Sequence, residues 1–280
     1  MSLSEGFPWE YKEWRFRGYS LAGITTSIVC QNASVCFDVG QGLPFQIPAK
    51  RIFITHPHMD HASGLPYLLA QKSMVGLKDT RVFVPLSFLE PIKEILRLWQ
   101  RVDEHEFSFR VEGVAPGTLH ELDPLLAFKA FPTVHRVPSQ GYILFEKKKR
   151  LKEEFSGLSQ REILAAKNEG QNPNEEWWEP RVAFTGDTQI EFTESAEEAL
   201  RAKILFVEVT FWDDKKSVEH ARRWGHLHFD ELLVNLHKFK NERIVLIHSS
   251  IRYSKGYLEK ILRERLPESE QARVVLFPRP

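Results

Sequence analysis

The stretch "ITHPHMDHASG", residues 54–64, places three histidines and an aspartate within six positions of a chain that holds 11 histidines among 280 residues. It follows "RIFI", an apolar run that reads as a short buried strand over residues 51–55, bounded by Pro48 and Pro57. Pro57 fixes its own φ and pushes His56 out of the helical region, so His56 and His58 are expected in extended chain. Side chains two apart in extended chain point the same way, and both imidazoles can reach one metal ion. Asp60 and His61 follow where the chain turns and can face a second point close by. Imidazole and carboxylate are donors that suit zinc and related transition metals. The bland alternative is a solvated loop with idle histidines, and it fits this spacing at a strand end poorly.

If that stretch is half of a dinuclear centre, further donors are expected at the ends of later strands. His135 closes "LAFKAFPTVH", Asp187 sits in "RVAFTGDT", and His248 ends "RIVLIH". Alone, each is an ordinary residue beside a strand. Together, each following an apolar strand, they are expected to emerge at one sheet edge.

The elements that must position them are legible as apolar runs. Strands are expected at "TSIVC", "SVCFDV", "RIFIT", "RVFVP", "FSFRVEGV", "LAFKAF", "YILFE", "RVAFTG", "ILFVEVT", "RIVLIH" and "RVVLF". Helical spacing appears over residues 86–102, 228–240 and 256–266. The alternation gives an α/β chain with mixed sheets, read as a single domain over residues 1–280. Residues 146–180, with "KKKRLK", a helix-like "SQREILAAKNEG" and "QNPNEEWWEP", read as a charged insertion.

Composition narrows the function. Lys+Arg and Asp+Glu are both 38, so the formal charge is zero and any nucleic-acid contact must come from local patches. The polar opening shows no signal-peptide pattern and no 18-residue apolar run occurs, which sets the expectation of a cytoplasmic protein without membrane contact. Cys30 and Cys36 flank "QNAS", where a hairpin turn is expected, and are expected as free buried thiols.

Three blocks, "VAFTGDT", "EVTFWDDKKSVEHARRWGHLHFDEL" and "LIHSSIRYS", resemble tRNase Z (ribonuclease Z) of the metallo-β-lactamase superfamily, in its short, plant-type form. The resemblance runs from about Gly18 to the C-terminus. It implies an αββα four-layer sandwich with two mixed β-sheets, a homodimer, and removal of the 3′ trailer from tRNA precursors by phosphodiester hydrolysis. Carried over, His56, His58 and His135 hold one zinc ion; Asp60, His61 and His248 hold a second, and Asp187 bridges the two. Asp60 would also orient the attacking hydroxide. The resemblance further assigns leaving-group protonation to His226, oriented by Glu208. His228 is the rival for that step, its ordinary role being the first turn of a helix.

The chain departs from the family pattern at Gln41 in "DVGQG", at "LPFQ" after it, and at Ser249. It also lacks the Gly/Pro-rich arm with which bacterial relatives grip tRNA. Lys147, Lys148, Lys149, Arg150 and Lys152 occupy that interval and, with Arg252, are the candidate RNA contacts, although a charge run is more often a solvated face. One rival reading is a phosphodiesterase or lactonase of the same fold acting on a small molecule; most such relatives lack the "HARRWGHLH" and "SSIRYS" blocks. The other is a non-catalytic RNA-binding relative, which a decayed site would mark.

Overall fold

Period-two alternation along the strand runs decides the layers. In the computed structural model, which describes residues 3–279, the first half of the chain forms one seven-stranded sheet. Its strands, paired in chain order, are β1 (Phe7–Tyr11), β2 (Trp14–Leu21), β3 (Thr25–Cys30), β4 (Val35–Phe37), β5 (Arg51–Phe53), β6 (Thr80–Pro85) and β7 (Phe109–Val114). The second half forms another from β8 (Leu119–Asp123), β9 (Leu126–Pro132), β10 (Gln140–Leu151), β11 (Asn174–Phe184), β12 (Ile204–Glu208), β13 (Arg243–Ile247) and β14 (Val274–Leu276), again in order. Each sheet begins antiparallel and turns parallel, at the β4–β5 pair and at the β11–β12 pair. Nine helices lie among the described residues. α1 (Met59–Ala62), α2 (Leu65–Met74) and α3 (Leu89–Asp103) belong to the first half, and α4 (Gln160–Asn168) joins β10 to β11. α5 (Glu197–Arg201), α6 (Val218–Arg223), α7 (Phe229–Asn235), α8 (Lys255–Arg265) and α9 (Glu268–Gln271) complete the second half.

Phe37 and Phe53 face the second sheet, where Phe37 stacks on Phe184 with ring centroids 5.0 Å apart and Phe53 meets Tyr142 at 4.8 Å. Their neighbours Cys36, Ile52 and Ile54 point the other way, against Leu65, Leu68 and Leu69 of α2 and Leu96 of α3. In the second sheet Ile204 and Phe206 face inward, while Leu205 and Val207 pack under Leu232 of α7 and Leu258 of α8. The order is helix, sheet, sheet, helix, as the resemblance implied. Removing one inter-sheet ring, as in Phe53→Ala, is expected to cost about 3–5 kcal/mol.

The three expected helices differ from expectation at their boundaries. Residues 86–88 form a separate 3-10 turn before α3, and Glu104 ends that helix in the left-handed region at φ 50°. α7 stops at Asn235 and continues as a 3-10 turn, and α8 starts at Lys255 behind Ser254, whose hydroxyl accepts from Tyr257 N. α2 was not expected at all. Residues 146–180 are less an insertion than an extension: β10 and β11 continue as a two-stranded ribbon from Glu146 opposite Glu179 to Leu151 opposite Asn174, with α4 at the tip. Cys30 and Cys36 are free and buried; one faces the inter-sheet core and the other faces α2, so they do not oppose each other.

β9, β11, β12 and β13 run in one direction, and Gln140 N donates to Thr55 O at 3.1 Å, bringing the end of β5 against the same edge. That edge collects the polar residues.

Candidate metal centre

Each of the seven donor residues, and Glu208, lies at or just after the C-terminal end of a strand, whereas His226 follows α6. His56 follows β5; His58 caps α1 in extended backbone (φ −62°, ψ 147°), which brings Asp60 and His61 into that helix's single turn. His135 lies between β9 and β10, Asp187 follows β11, Glu208 ends β12, and His248 follows β13. Donor atoms of His56, His58, His135 and Asp187 all lie within 4.8 Å of one another, and so do those of Asp60, His61 and His248. The two groups touch through Asp187, whose Oδ2 is 3.6 Å from His56 Nε2 and whose Oδ1 is 3.3 Å from His61 Nε2. His135 Nε2 faces His58 Nδ1 at 3.1 Å, His61 Nε2 faces His248 Nε2 at 3.2 Å, and His248 Nε2 is 3.3 Å from Asp60 Oδ2.

Four imidazoles are oriented from behind. Nδ1 of His56 lies 2.9 Å from Thr55 Oγ1, that of His61 lies 2.8 Å from Asp38 Oδ2, that of His135 donates to Gly225 O at 2.7 Å, and that of His248 lies 3.0 Å from Thr210 Oγ1. Each ring therefore presents Nε2 to the centre, the outer-shell support that metal-ligating histidines need. His58 presents Nδ1 instead. Burial holds His56, His58 and His135 below the ordinary histidine range, so they are neutral and able to coordinate. Burial alone would raise Asp187, but the surrounding imidazoles outweigh it and keep the carboxylate ionised.

The donor set fits a pair of cations. His56 Nε2 and Asp187 Oδ1 are buried and have no hydrogen-bond partner, an arrangement that costs free energy unless a ligand satisfies it. The backbone is strained at the same place. Asp38 and His248 sit in the left-handed region at φ 52° and 58°, conformations that persist in non-glycine residues where the surroundings over-determine them. Gly186 has φ +64°, and a Cβ there would approach Thr55 Oγ1 to 2.5 Å. Only glycine lets Asp187 reach this position.

Asp38 is the residue that sequence reasoning missed. Fully buried, it accepts from Thr55 N at 2.7 Å and faces His61. Burial pushes its carboxyl up, and His61 opposes that rise. Its signal was an aspartate closing the apolar run "SVCFD".

Beside the centre, Glu208 Oε1 accepts from Thr188 N and from His226 Nδ1, both at 2.9 Å, and its Oε2 accepts from Thr210 Oγ1 at 2.7 Å. Burial would lower His226, but the Glu208 carboxylate outweighs it and the imidazole rises to about 9. His226 also lies 3.8 Å from Asp187 Oδ2. His228 goes elsewhere: it caps α7, its Nδ1 accepting from Asp230 N at 3.2 Å while its own N donates to Glu231. It is a buried cap, where a surface one was expected.

The basic run lies apart. Lys147, Lys148, Lys149 and Arg150 are on β10, and at about 3.3 Å per residue Lys147 is roughly 23 Å along the strand from Gln140. Lys152 follows the strand. Arg252 is exposed in the turn after His248.

Residues 39–249 match the beta-lactamase superfamily domain. The chain is 36% identical over 272 residues to tRNase Z TRZ1 of Arabidopsis thaliana, covering 96% of this chain and 94% of that one. It is 32% identical over 246 residues to the chloroplastic tRNase Z TRZ2 of the same plant, covering 87% and 70%. The fold is similar to that of human tRNase Z, short form, with a TM-score of 0.63 at 18% identity over 94% and 95% of the two chains. On this footing the chain belongs to the tRNase Z family of the β-lactamase superfamily.

Proposed function

We propose that the protein is a zinc-dependent endoribonuclease that removes the 3′ trailer from tRNA precursors by phosphodiester hydrolysis. The observation that carries this reading is the convergence of seven donor residues on one strand edge, two of their buried atoms lacking any hydrogen-bond partner, with the Glu208–His226 pair alongside. His56, His58 and His135 would hold one zinc ion, Asp60, His61 and His248 the other, and Asp187 would serve both. When bound, two such ions supply Lewis-acid stabilisation of phosphate charge and hydroxide at neutral pH. The chain's own contributions are distinct. Asp60, fixed by Gly23 N at 2.8 Å, accepts a hydrogen bond from the attacking water. Glu208 fixes the tautomer of His226, whose Nε2 proton goes to the departing 3′-oxygen. The Glu208 carboxylate, with ionised Asp187 behind it, outweighs burial and keeps this proton in place at neutral pH.

The reading takes residues 1–280 as one catalytic domain (Met1, Ser2 and Pro280 lie outside the described residues) and sets it in the cytoplasm, where the free thiols of Cys30 and Cys36 persist. No helix among the described residues is long and apolar enough to cross a membrane. It also takes the protein as a homodimer. Support comes from α2 and α3, where exposed Tyr67, Met74 and Trp99 line a cleft of about 290 Å³ and Leu98 and Val102 of α3 are exposed as well. Lys147, Lys148, Lys149, Arg150 and Lys152 are kept as a remote contact for the body of the tRNA, and Arg252 as a near one.

The test is incubation of a 3′-extended tRNA precursor with the zinc-loaded protein, followed by gel analysis. Release of one discrete trailer, abolished by a chelator, is the expected result. Cleavage of a small phosphodiester alone, across several precursors and salt concentrations, would replace this reading with the small-molecule phosphodiesterase.

A further inference from the structure

The catalytic reading leaves a group of cationic and aromatic side chains beside His226 without a role. α6 ends at Trp224, and Gly225 then turns the chain at φ +76°. Gly225 O accepts from His135 Nδ1, and a Cβ on Gly225 would come within 2.7 Å of that nitrogen. The turn carrying Trp224 is thereby fixed to a donor of the metal centre. Trp224 itself stands outside, 47% exposed, with the Arg136 guanidinium 4.7 Å from its ring centroid. Arg136 also borders an open cleft of about 550 Å³ that begins at His135. Phe211 packs against both His226 and His220, at 6.2 and 5.2 Å between centroids, so this surface is continuous with the proposed acid.

Burial, and then the positive charges of Lys216, Arg223 and Arg252, hold the His220 imidazole below the ordinary range, so these cations act on the same surface. Among the described residues, no carboxylate lies within ion-pair distance of Arg136, Lys216, Arg223 or Arg252. The chain has as many acids as bases; Asp214 and Glu219 lie nearby in sequence but, among the described residues, form no ion pair with these cations, and other nearby acids are engaged. Arg222 is held by Glu191 and Glu231, and Asp213 accepts from the Tyr253 and Tyr257 hydroxyls. Unneutralised cations gathered beside a hydrolytic centre, with an exposed indole among them, match a single nucleic-acid strand: cations for phosphates and a π-face for a base.

We propose that Trp224, Arg136, Lys216 and Arg223 seat the RNA strand that flanks the scissile phosphate, Trp224 stacking one base and the three cations contacting phosphates. The proposal rests on the tRNA-processing reading and names positioning residues that reading does not contain.

The experiment measures KM and kcat for a 3′-extended tRNA precursor, and equilibrium binding of the processed tRNA, over a range of salt. Bis(p-nitrophenyl) phosphate is the parallel substrate. Reversing Lys216 and Arg223 to Glu should flatten the salt dependence by about two units of slope, one per contact. Trp224→Ala should raise the precursor KM about 5- to 100-fold, with Trp224→Phe recovering most of it, because any aromatic face stacks a base. In both cases the loss on the precursor should exceed the loss on the small diester at least about tenfold. Unchanged affinity and slope, with the wild type still cutting the precursor, would overturn the proposal and leave the tRNA reading standing. Equal losses on the two substrates would overturn it too, since they would mark a structural role. A wild-type protein that neither binds nor cuts the precursor would remove the reading beneath it.

Discussion

Strands β10 and β11 carry a polar cluster at each end, and the two clusters are opposites. Toward Gln140 and Phe184 they lead into His135 and Asp187; toward Leu151 and Asn174 they carry the basic run. At the first end, His56 Nε2 and Asp187 Oδ1 are buried among other site residues yet have no hydrogen-bond partner. At the second, Lys148 meets Glu146 at 2.6 Å, Arg150 meets Glu175 at 2.9 Å, Lys152 meets Glu154 at 3.9 Å, and Lys147 lies 4.7 Å over the Trp178 ring. A buried polar atom left alone is costly and calls for a ligand, whereas an exposed ion pair is worth little whether kept or lost. Dense runs of histidine and of lysine look equally suggestive in a sequence. What separates them is whether their groups already have partners.

The largest test of that contrast is at Asp187. It serves both halves of the donor set, so Asp187→Ala should abolish precursor cleavage and release metal together. Elemental analysis of the wild type should give about two transition-metal ions per chain, mostly zinc. A variant that keeps the wild-type metal content would break the bridging assignment, and the unpartnered atoms would no longer point to cations.

Next in size is the pair beside the centre. His226→Ala should keep both metals and lose about 10²–10⁴-fold in rate, the usual share of general acid catalysis. The loss should shrink for a nitrophenyl diester, whose leaving group needs no proton. An equal loss on both substrates would sink the acid role. Glu208→Gln gives a subtler signature. His226 is raised to about 9, so it is protonated and active below that pH and loses its proton as pH rises through it. Glutamine removes the carboxylate that sustains the rise, so the alkaline limb of the pH–rate profile should move to lower pH. A limb that stays in place belongs to another group.

Legibility followed the same contrast. "HPHMDH" could be read because four donors share six positions, and His135, Asp187 and His248 because each ends an apolar strand. Asp38 escaped because its partners Thr55 and His61 lie 17 and 23 residues further on, and one aspartate at a strand end is unremarkable. Most strands of the two sheets followed from the runs, although β1, β2 and β8 did not; nor did α2, because Leu65, Pro66, Leu68 and Leu69 are all buried and leave no clear polar stripe. The ribbon of β10 and β11 was hidden for a physical reason. Its cross-strand pairs, Lys147 opposite Trp178 and Arg150 opposite Glu175, hold two strands together without the apolar alternation that announces a strand. Glu208 and His226 came only through the family resemblance, since 18 residues separate them in the chain.

The smallest expected effect belongs to the basic run, and it sharpens the comparison most directly. Lys147, Lys148 and Lys149 are far from the metal centre, and two of them already have partners in the ribbon. Reversing all three to Glu would place new negative charge beside Glu146, Glu175 and Glu176, and any phosphate held there would be lost. If the ribbon grips the body of a tRNA, KM for the precursor should rise several-fold and the salt dependence should flatten by about one unit of slope for each contact removed. The change should be smaller than that from reversing Lys216 and Arg223, whose charges are unpaired and stand beside the acid. Steady-state kinetics of the two variants side by side decide the order. Should the Lys147, Lys148 and Lys149 reversal prove the more damaging, existing partners would be no guide to where this surface binds RNA, and the contrast between the two ends of β10 and β11 would fail as a way of finding function.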